Sequence, residues 1–458
     1  MQFDRIDRRR LIAIAAGAAG ATAAATAGRA APVQAAPALG LDATHFGLQP
    51  GSPDDQTRLL QRAVDEAARN GAPLVLPPGV YRVANIKLTT GAQLVGARGA
   101  TTLAFTQGPS LISGLAANHV TLAGLVLDGG RVPLPKERGL VQLENCKAVK
   151  VSDCDIRQAG GNVLVGVNVD GEVSDSTFAD ALDVAIHVRD AAGLVIARNR
   201  VRGAGNNGIQ VWRSAAGDDG TMVIDNRIED IEARAGGSGQ NGNAINVFRA
   251  GNVIVRGNRI RNCAFSAVRG NAASNLHIEG NVATATREVA LYAEFAFEGA
   301  VIAGNSVEGA AIGISVTNFN EGGRLAVVQG NLIRNLLPMR PAGTDPGDPA
   351  GVGIAVEADT AVTGNVVENA LASGILIGWG RYLRDVAVTG NIVRRADVGI
   401  GVSVAPGAGT ALIANNVITE TLRGAIVGMA HASAVTGDLA KAGADRYAHI
   451  TLAGNRVR

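Results

Sequence analysis

The chain has 458 residues, of which 47% are hydrophobic and only 3% aromatic; 60 are glycine and the formal net charge is +2. Beyond the first residues there is no Lys/Arg run of the kind that binds nucleic acid, and no apolar stretch is long enough to span a membrane. Three cysteines, Cys146, Cys154 and Cys263, are an odd count without metal-ligand spacing, which points to buried thiols rather than a disulfide framework or a zinc site.

Residues 1–38 read as an export segment. Asp7-Arg8-Arg9-Arg10-Leu11-Ile12 precedes a weakly hydrophobic run of Ala and Gly, and small residues offer cleavage after Ala35, Ala36 or Ala38. This looks like a twin-arginine signal peptide, which implies passage through the twin-arginine export machinery and a periplasmic or secreted mature chain. The segment holds five Arg and two Asp, so without it the formal charge falls from +2 to about −1. A body this close to neutral exerts no long-range pull on anionic polymers.

Residues 39–110 read as an N-terminal cap. Ser52-Pro53-Asp54-Asp55 offers an N-cap, a proline at the first helical position and acidic residues in the first turn. Leu59, Leu60, Ala63, Val64, Ala67 and Ala68 then form one apolar helical face, closed by Gly71. Residues 73–83, PLVLPPGVYRV, follow as a strand, with IKL, AQLVGA and TTLAF after it.

From residue 111 to the end the chain is repetitive. Ten copies of an aliphatic–x–x–Asn–x–aliphatic phrase carry Asn199, Asn226, Asn258, Asn281, Asn305, Asn331, Asn365, Asn391, Asn416 and Asn455. Successive asparagines are separated by 23 to 39 residues, so the unit is about 23 residues with insertions. A second phrase precedes many of them: GIQVW, AINVF, GISVT, GIAVE, GILIG and GIGVS. Ile186, Ile245 and Val268 each stand 13 residues before their asparagine. The same offset finds weaker copies upstream, with Val163 before Ser176, Val141 before Cys154 and Leu111 before Gly124. Runs this short and β-branched, separated by Gly and Asn, are strands rather than helices. One turn cannot bury its interior alone, whereas stacked turns share a core, so the pattern predicts an all-β parallel solenoid of about thirteen turns and about 60 Å.

These phrases resemble the right-handed parallel β-helix repeats of the pectin-lyase-like superfamily, over roughly residues 50–458. The N-terminal part is similar to the start of tailspike and pectate-lyase-like β-helix domains. With the twin-arginine segment, the chain most resembles a group of exported bacterial β-helix repeat proteins. The superfamily includes lyases, hydrolases, epimerases and adhesins, so the resemblance implies fold and not chemistry. The paired-Asp, Gly-His-Gly and Arg-x-Lys signatures of polygalacturonases are not found. Neither are the Asp-Pro-His-Glu motif of alginate epimerases and the calcium-binding Asp cluster of pectate lyases. No catalytic residue carries over; no cofactor is implied, and calcium has no motif behind it.

Within each turn the asparagine is expected inside the bend, bonding the backbone above and below. Gly precedes it in seven copies, as a bend with unusual backbone angles requires. Function is then expected on the outward positions of the GIxV strand. The x column reads Gln142, Leu164, His187, Gln210, Asn246, Arg269, Tyr292, Ser315, Ala355 and Leu376. Its neighbour reads Glu144, Gly166, Arg189, Trp212, Phe248, Asn271, Glu294, Thr317, Glu357 and Gly378. Polar and aromatic residues concentrate from His187 to Glu294, and the columns then fade to small and apolar.

Aromatic rings stack on sugar faces while Arg, Asn and Gln bind hydroxyls or carboxylates, so the cluster predicts a polysaccharide groove. Its expected binding residues are Arg189, Gln210, Trp212, Asn246, Phe248 and Glu294. Two Gly- and Pro-rich insertions, residues 232–243 and 338–351, are placed to wall it. If the groove is catalytic, Arg269 and Tyr292 on adjacent turns suit a lyase on uronic-acid polymers, with His187 as an alternative base and Asp183 as a carboxylate. A hydrolase requires two carboxylates roughly 5 to 9.5 Å apart. Asp183 and Glu294, four turns apart, are too distant, which leaves Asp180/Asp183 or Glu288/Glu294. A non-catalytic envelope or matrix scaffold is the alternative.

Overall fold

The computed structural model describes residues 40–237 and 239–458. The export segment expected at residues 1–38 lies outside them.

Stacked short strands coil into a parallel β-solenoid of about 14 turns. One face is a 16-stranded parallel sheet running from Leu41–Asp42 to Ile450–Ala453. The other two strands of each turn merge into a second sheet, because late in the chain Val366–Ile377, Ile392–Ser403 and Val417–Ala430 run through the corner with register shifts. A typical turn is Val184–Arg189, then Val195–Ala197, the bend at Asn199, and Arg200–Ala204. The narrow interior is filled by Val, Ile, Leu and Ala, for example Ile186, Ile196, Val201, Ile209 and Val223.

The asparagines form one ladder inside the bends. Asn281 accepts at its Oδ1 from the backbone N–H and Nδ2 of Asn258, at 2.9 and 3.0 Å. It donates from Nδ2 to the Val255 carbonyl, and its own N–H goes to Asn305. The same pattern runs from Asn199 to Asn455. Ser176 and Cys154 continue it upstream: the Ser176 N–H donates to Asn199 and the Cys154 N–H to Ser176 Oγ. The residue before each asparagine is left-handed, as at Gly257, Gly280 and Gly304, and also at Arg198 and Asp225. All three cysteines are free and buried. Burial pushes the Cys154 thiol up to about 11 and the Cys263 thiol to about 12.

Two local expectations are corrected. The helix α1 spans Thr57–Arg69 and begins later than Ser52-Pro53. Asp55 instead pairs with Arg82 in a bridge and accepts from the Thr57 N–H, while the Gln56 side chain turns back to Gln49. The apolar face of α1, with Leu60, Ala63, Val64 and Ala67, closes the first turns as expected. The 13-residue offset also slips by one upstream of His187. Val165 and Val167, not Leu164 and Gly166, stand under His187 and Arg189, and Ile112 rather than Leu111 pairs with Val141.

At the far end the chain turns back once. Ser433–Asp438 pairs antiparallel with Val417–Ala430 and covers the edge of the last first-strand, Gly428 accommodating Thr436.

Each ladder asparagine side chain satisfies two buried backbone groups, both of the turn before it rather than one above and one below, and its loss leaves them unpaired at about 1–3 kcal/mol each. Asn281→Ala is expected to lower stability by about 2–4 kcal/mol in denaturant unfolding, and Asn455→Ala, at the exposed end of the ladder, by clearly less.

Candidate functional site

Strand register places the expected column in one line. His187 pairs with Gln210, Gln210 with Asn246, Asn246 with Arg269, Arg269 with Tyr292, and Tyr292 with Ser315. The neighbouring column runs Arg189, Trp212, Phe248, Asn271, Glu294. Parity is as expected, but the insertions cover the face, so Gln210, Asn246, Arg269 and Glu294 are buried.

The first half of the face is aromatic. His187 meets Trp212 edge-on at 5.3 Å between ring centroids, and Trp212 meets Phe248 at 5.8 Å. Hydrogen bonds fix the rings: Trp212 Nε1 donates to Asn246 Oδ1 at 2.9 Å, and His187 Nδ1 donates to Gln210 Oε1 at 2.6 Å. Burial holds His187 below the ordinary histidine range, against the pull of Gln210, so the ring is neutral at pH 7 with Nε2 free to accept. Trp212, Asn246, Phe248, Arg269, Asn271 and Phe295 line a cavity of about 350 Å³, roofed by Gly239 and Gln240 of the 232–243 insertion. Gly239 has φ 147°, and a Cβ there would stand 2.4 Å from the Arg269 guanidinium carbon. The roof therefore needs glycine at that point.

A second polar ladder, not foreseen, enters these strands. Asn243 donates its N–H to Asn207 Oδ1, Ser266 donates its N–H to Asn243 Oδ1, and Ser266 Oγ donates to Glu288. It ends on a buried ion cluster. Arg269 Nε and Nη2 grip Glu294 at 2.6 and 2.9 Å, and Nη1 donates to Glu288 at 3.0 Å. Arg340, from the second insertion, donates to the other Glu288 oxygen at 2.7 Å and pairs with Asp348 at 3.1 Å. Burial works against the Arg269 charge, yet Glu294 and Glu288 hold its pKa above the ordinary value. The guanidinium also lies 4.9 Å from the Tyr292 ring centroid.

This arrangement changes the expected roles. Arg269 is committed to two carboxylates and is not free to neutralise a substrate carboxylate. Glu288 and Glu294 stand together, as the sequence allowed, but as ion-pair partners of arginine rather than an open acid–base pair. Burial pushes the Tyr292 phenol well above its ordinary range, so it stays protonated and is not available as a base. Asp183 accepts from Asn206 Nδ2 at 2.8 Å at the start of the His187 strand, away from the ion cluster. Arg189 is half-buried beside Trp212.

Beyond Tyr292 the face opens again. A cavity of about 270 Å³ is floored by Ile312, Ala355 and Leu376 and rimmed by Ser315, Thr317, Glu357, Arg340, Trp379 and Tyr382. Glu357 is 8% exposed and accepts from the Phe319 N–H at 2.7 Å. Burial pushes its carboxyl up from 4.5 to about 7, against the backbone N–H groups of Phe319 and Asn318. Sequence reasoning passed over this half because Ala355 and Leu376 look like a fading column. Small floor residues are what leave the space. The available signal was Glu357 in the outward column opposite the 338–351 insertion.

Removing the Arg269 side chain leaves Glu294 in the interior without a cation and Glu288 with Arg340 alone. Arg269→Met is expected to cost about 3–5 kcal/mol in denaturant unfolding, as for a broken buried ion pair. Glu357 carries a pH signature. Between about pH 4.5 and about 7 the folded chain keeps a proton that the unfolded chain releases, so this group's contribution falls as pH rises through that window. Thermal melts from pH 4 to 8 should show Glu357→Gln losing that decline and gaining on the wild type at the alkaline end.

Comparison with known proteins places this geometry. Residues 165–333 and 214–383 match the family model described as right handed beta helix region. Residues 80–248 match the model described as periplasmic copper-binding protein (NosD). A curated protein of Pseudomonas aeruginosa named probable ABC transporter binding protein NosD is 34% identical over 139 residues, 30% of this chain and 26% of the relative. The match thus spans about a quarter of that relative's length. The residues here do not fit a copper centre of their own. Among the described residues no group of three or more His, Cys, Asp or Glu could hold a metal, and the thiols are buried singly in the core. Among solved structures, the N-terminal fragment of bacteriophage Phi29 gene product 12 superposes with TM-score 0.55 at 13% identity, covering 85% of this chain and 68% of that one. The catalytic unit of the GH87 alpha-1,3-glucanase from Streptomyces thermodiastaticus gives 0.51 at 16%, covering 92% and 69%. At these identities the likeness is one of fold. Repeat phrases, parallel stacking and family model agree: the chain is a right-handed parallel β-helix.

Proposed function

We propose that this is an exported β-helix protein that binds a polysaccharide along its first-strand face, between Trp212 and Asn271. The observation that carries the reading is the cleft itself: Trp212 and Phe248, in a chain with 3% aromatics, are held edge-on in a cavity of about 350 Å³ bordered by Asn246 and Asn271. Fixed rings present C–H-binding faces, and amides reach hydroxyls. The periplasmic or secreted location expected from residues 1–38 agrees with the periplasmic family model over residues 80–248. Passage through the twin-arginine machinery belongs to the same proposal.

The buried ion cluster favours a neutral polymer over a uronate. Arg269 and Arg340 face Glu288, Glu294 and Asp348, so the ionised cluster carries one net negative charge and offers no spare cation. The same pairing weighs against lyase chemistry, which needs that cation free. It favours the second reading, a non-catalytic envelope or matrix binding protein, for which the cleft is sufficient.

Affinity electrophoresis of the exported chain through neutral glucans, mannans, galactans and uronate polymers tests this. Retardation by a neutral polymer, weakened at least tenfold by Trp212→Ala with Phe248→Ala, is expected. Retardation indifferent to that double variant would remove the groove. Absorbance near 235 nm and reducing-end assays on the same polymers are expected to stay flat; unsaturated product from a uronate would restore the lyase reading.

A further inference from the structure

We propose that the cavity beyond Tyr292 is a second, separate binding site that takes a single neutral sugar ring. The inference rests on reading this face as saccharide-binding, but it concerns different residues. The floor of Ile312, Ala355 and Leu376 belongs to an apolar cluster outside the main core, continued by Val352, Val427 and Met429. Such a patch on the outer face of a solenoid needs a cover. Tyr292, Trp379 and the returning strand supply part of it, and the cavity is the part left open.

The rim matches the edge of a sugar. Trp379 and Tyr382 are fixed relative to each other by paired backbone hydrogen bonds of 3.0 and 3.1 Å, and Trp379 packs edge-on against His431 at 5.2 Å. Ser315 and Thr317 supply hydroxyls on the strand side, and Glu357 supplies a buried carboxyl. The opposite wall holds an unsatisfied donor. Arg340 has only 8% of its side chain exposed, its two Nη atoms are taken by Glu288 and Asp348, and its Nε is buried without a partner. A buried N–H without a partner is rare, and it marks this wall as incompletely satisfied.

Size and charge select the class. A space of about 270 Å³ sits at the lower end of small-molecule pockets and suits one ring with part of a neighbour. The Arg340 charge is already met by Glu288 and Asp348, so an anionic sugar finds no uncompensated cation there. An apolar floor, flanking aromatic rings and a rim of hydroxyl, carboxyl and guanidinium groups describe a neutral pyranose.

The test is ligand-observed saturation-transfer NMR on the full mature chain with glucose, galactose, mannose and their neutral disaccharides, alongside glucuronate and galacturonate. At least one neutral sugar is expected to bind, more tightly than the uronates. Trp379→Ala is expected to weaken it at least tenfold. Ala355→Leu, which fills the floor without removing a rim group, should do the same; melting curves establish that each variant is folded. Absence of binding by every neutral sugar, or binding indifferent to both variants, overturns the proposal. Polymer retardation through Trp212 with no short-sugar binding would overturn this site and spare the groove. Short-sugar binding lost in Ala355→Leu, with no polymer retained, would do the reverse.

Discussion

Each asparagine from Asn226 to Asn455 offers its side-chain oxygen to the backbone and amide of the turn before it, and reaches back with Nδ2 to a carbonyl of that same turn. That contact depends on parallel stacking at a fixed register. If one turn slipped by a residue, the asparagine would leave the bend and every apolar side chain of that turn would reverse face. The ladder and the Val/Ile interior therefore state the same constraint twice. Insertions of many residues are accepted between strands because they leave that register intact.

The outer face is a consequence of this stacking. Parallel strands carry residues far apart in sequence onto neighbouring turns, which is how Arg269 comes to lie against Glu294 and Glu288. The ion cluster then acts as a partition. On one side lies the Trp212–Phe248 cleft under Gly239, and on the other the cavity rimmed by Glu357 and Trp379. Arg340 ties the 338–351 insertion to the partition through Glu288, while Gly239 of the other insertion packs closely over Arg269. A buried pair of this kind gives little net stability over apolar packing but is costly to break. Its evident effect here is on geometry: it positions the walls of two cavities.

The solenoid and most of the outward columns were legible because a repeat converts sequence spacing into spatial neighbourhood. His187, Gln210, Asn246, Arg269 and Tyr292 stand in line because each is measured from its own asparagine. The ruler failed upstream, where Ser176 and Gly124 stand at the asparagine position and the stretch before them is one residue shorter, so Val165 rather than Leu164 takes the outward place. Spacing also says nothing about what covers a face. Arg269 read as an exposed cation, and its capture by Glu288 and Glu294 is visible only once the loops are folded down. Trp379 and Tyr382 stand after their strand, in a bend with no period, and the second cavity was hidden for that reason.

Carbohydrate is proposed to occupy the first-strand face and not the 16-stranded sheet behind it. Hydrogen–deuterium exchange of the mature chain with and without a retained neutral polymer tests it most directly. Slowed exchange in residues 232–243 and at the ends of Asn207–Asp218 and Asn243–Gly251, with the back sheet unchanged, is the result predicted. Protection confined to strands such as Val195–Ala197, Met222–Ile224 and Ile254–Arg256 would contradict it.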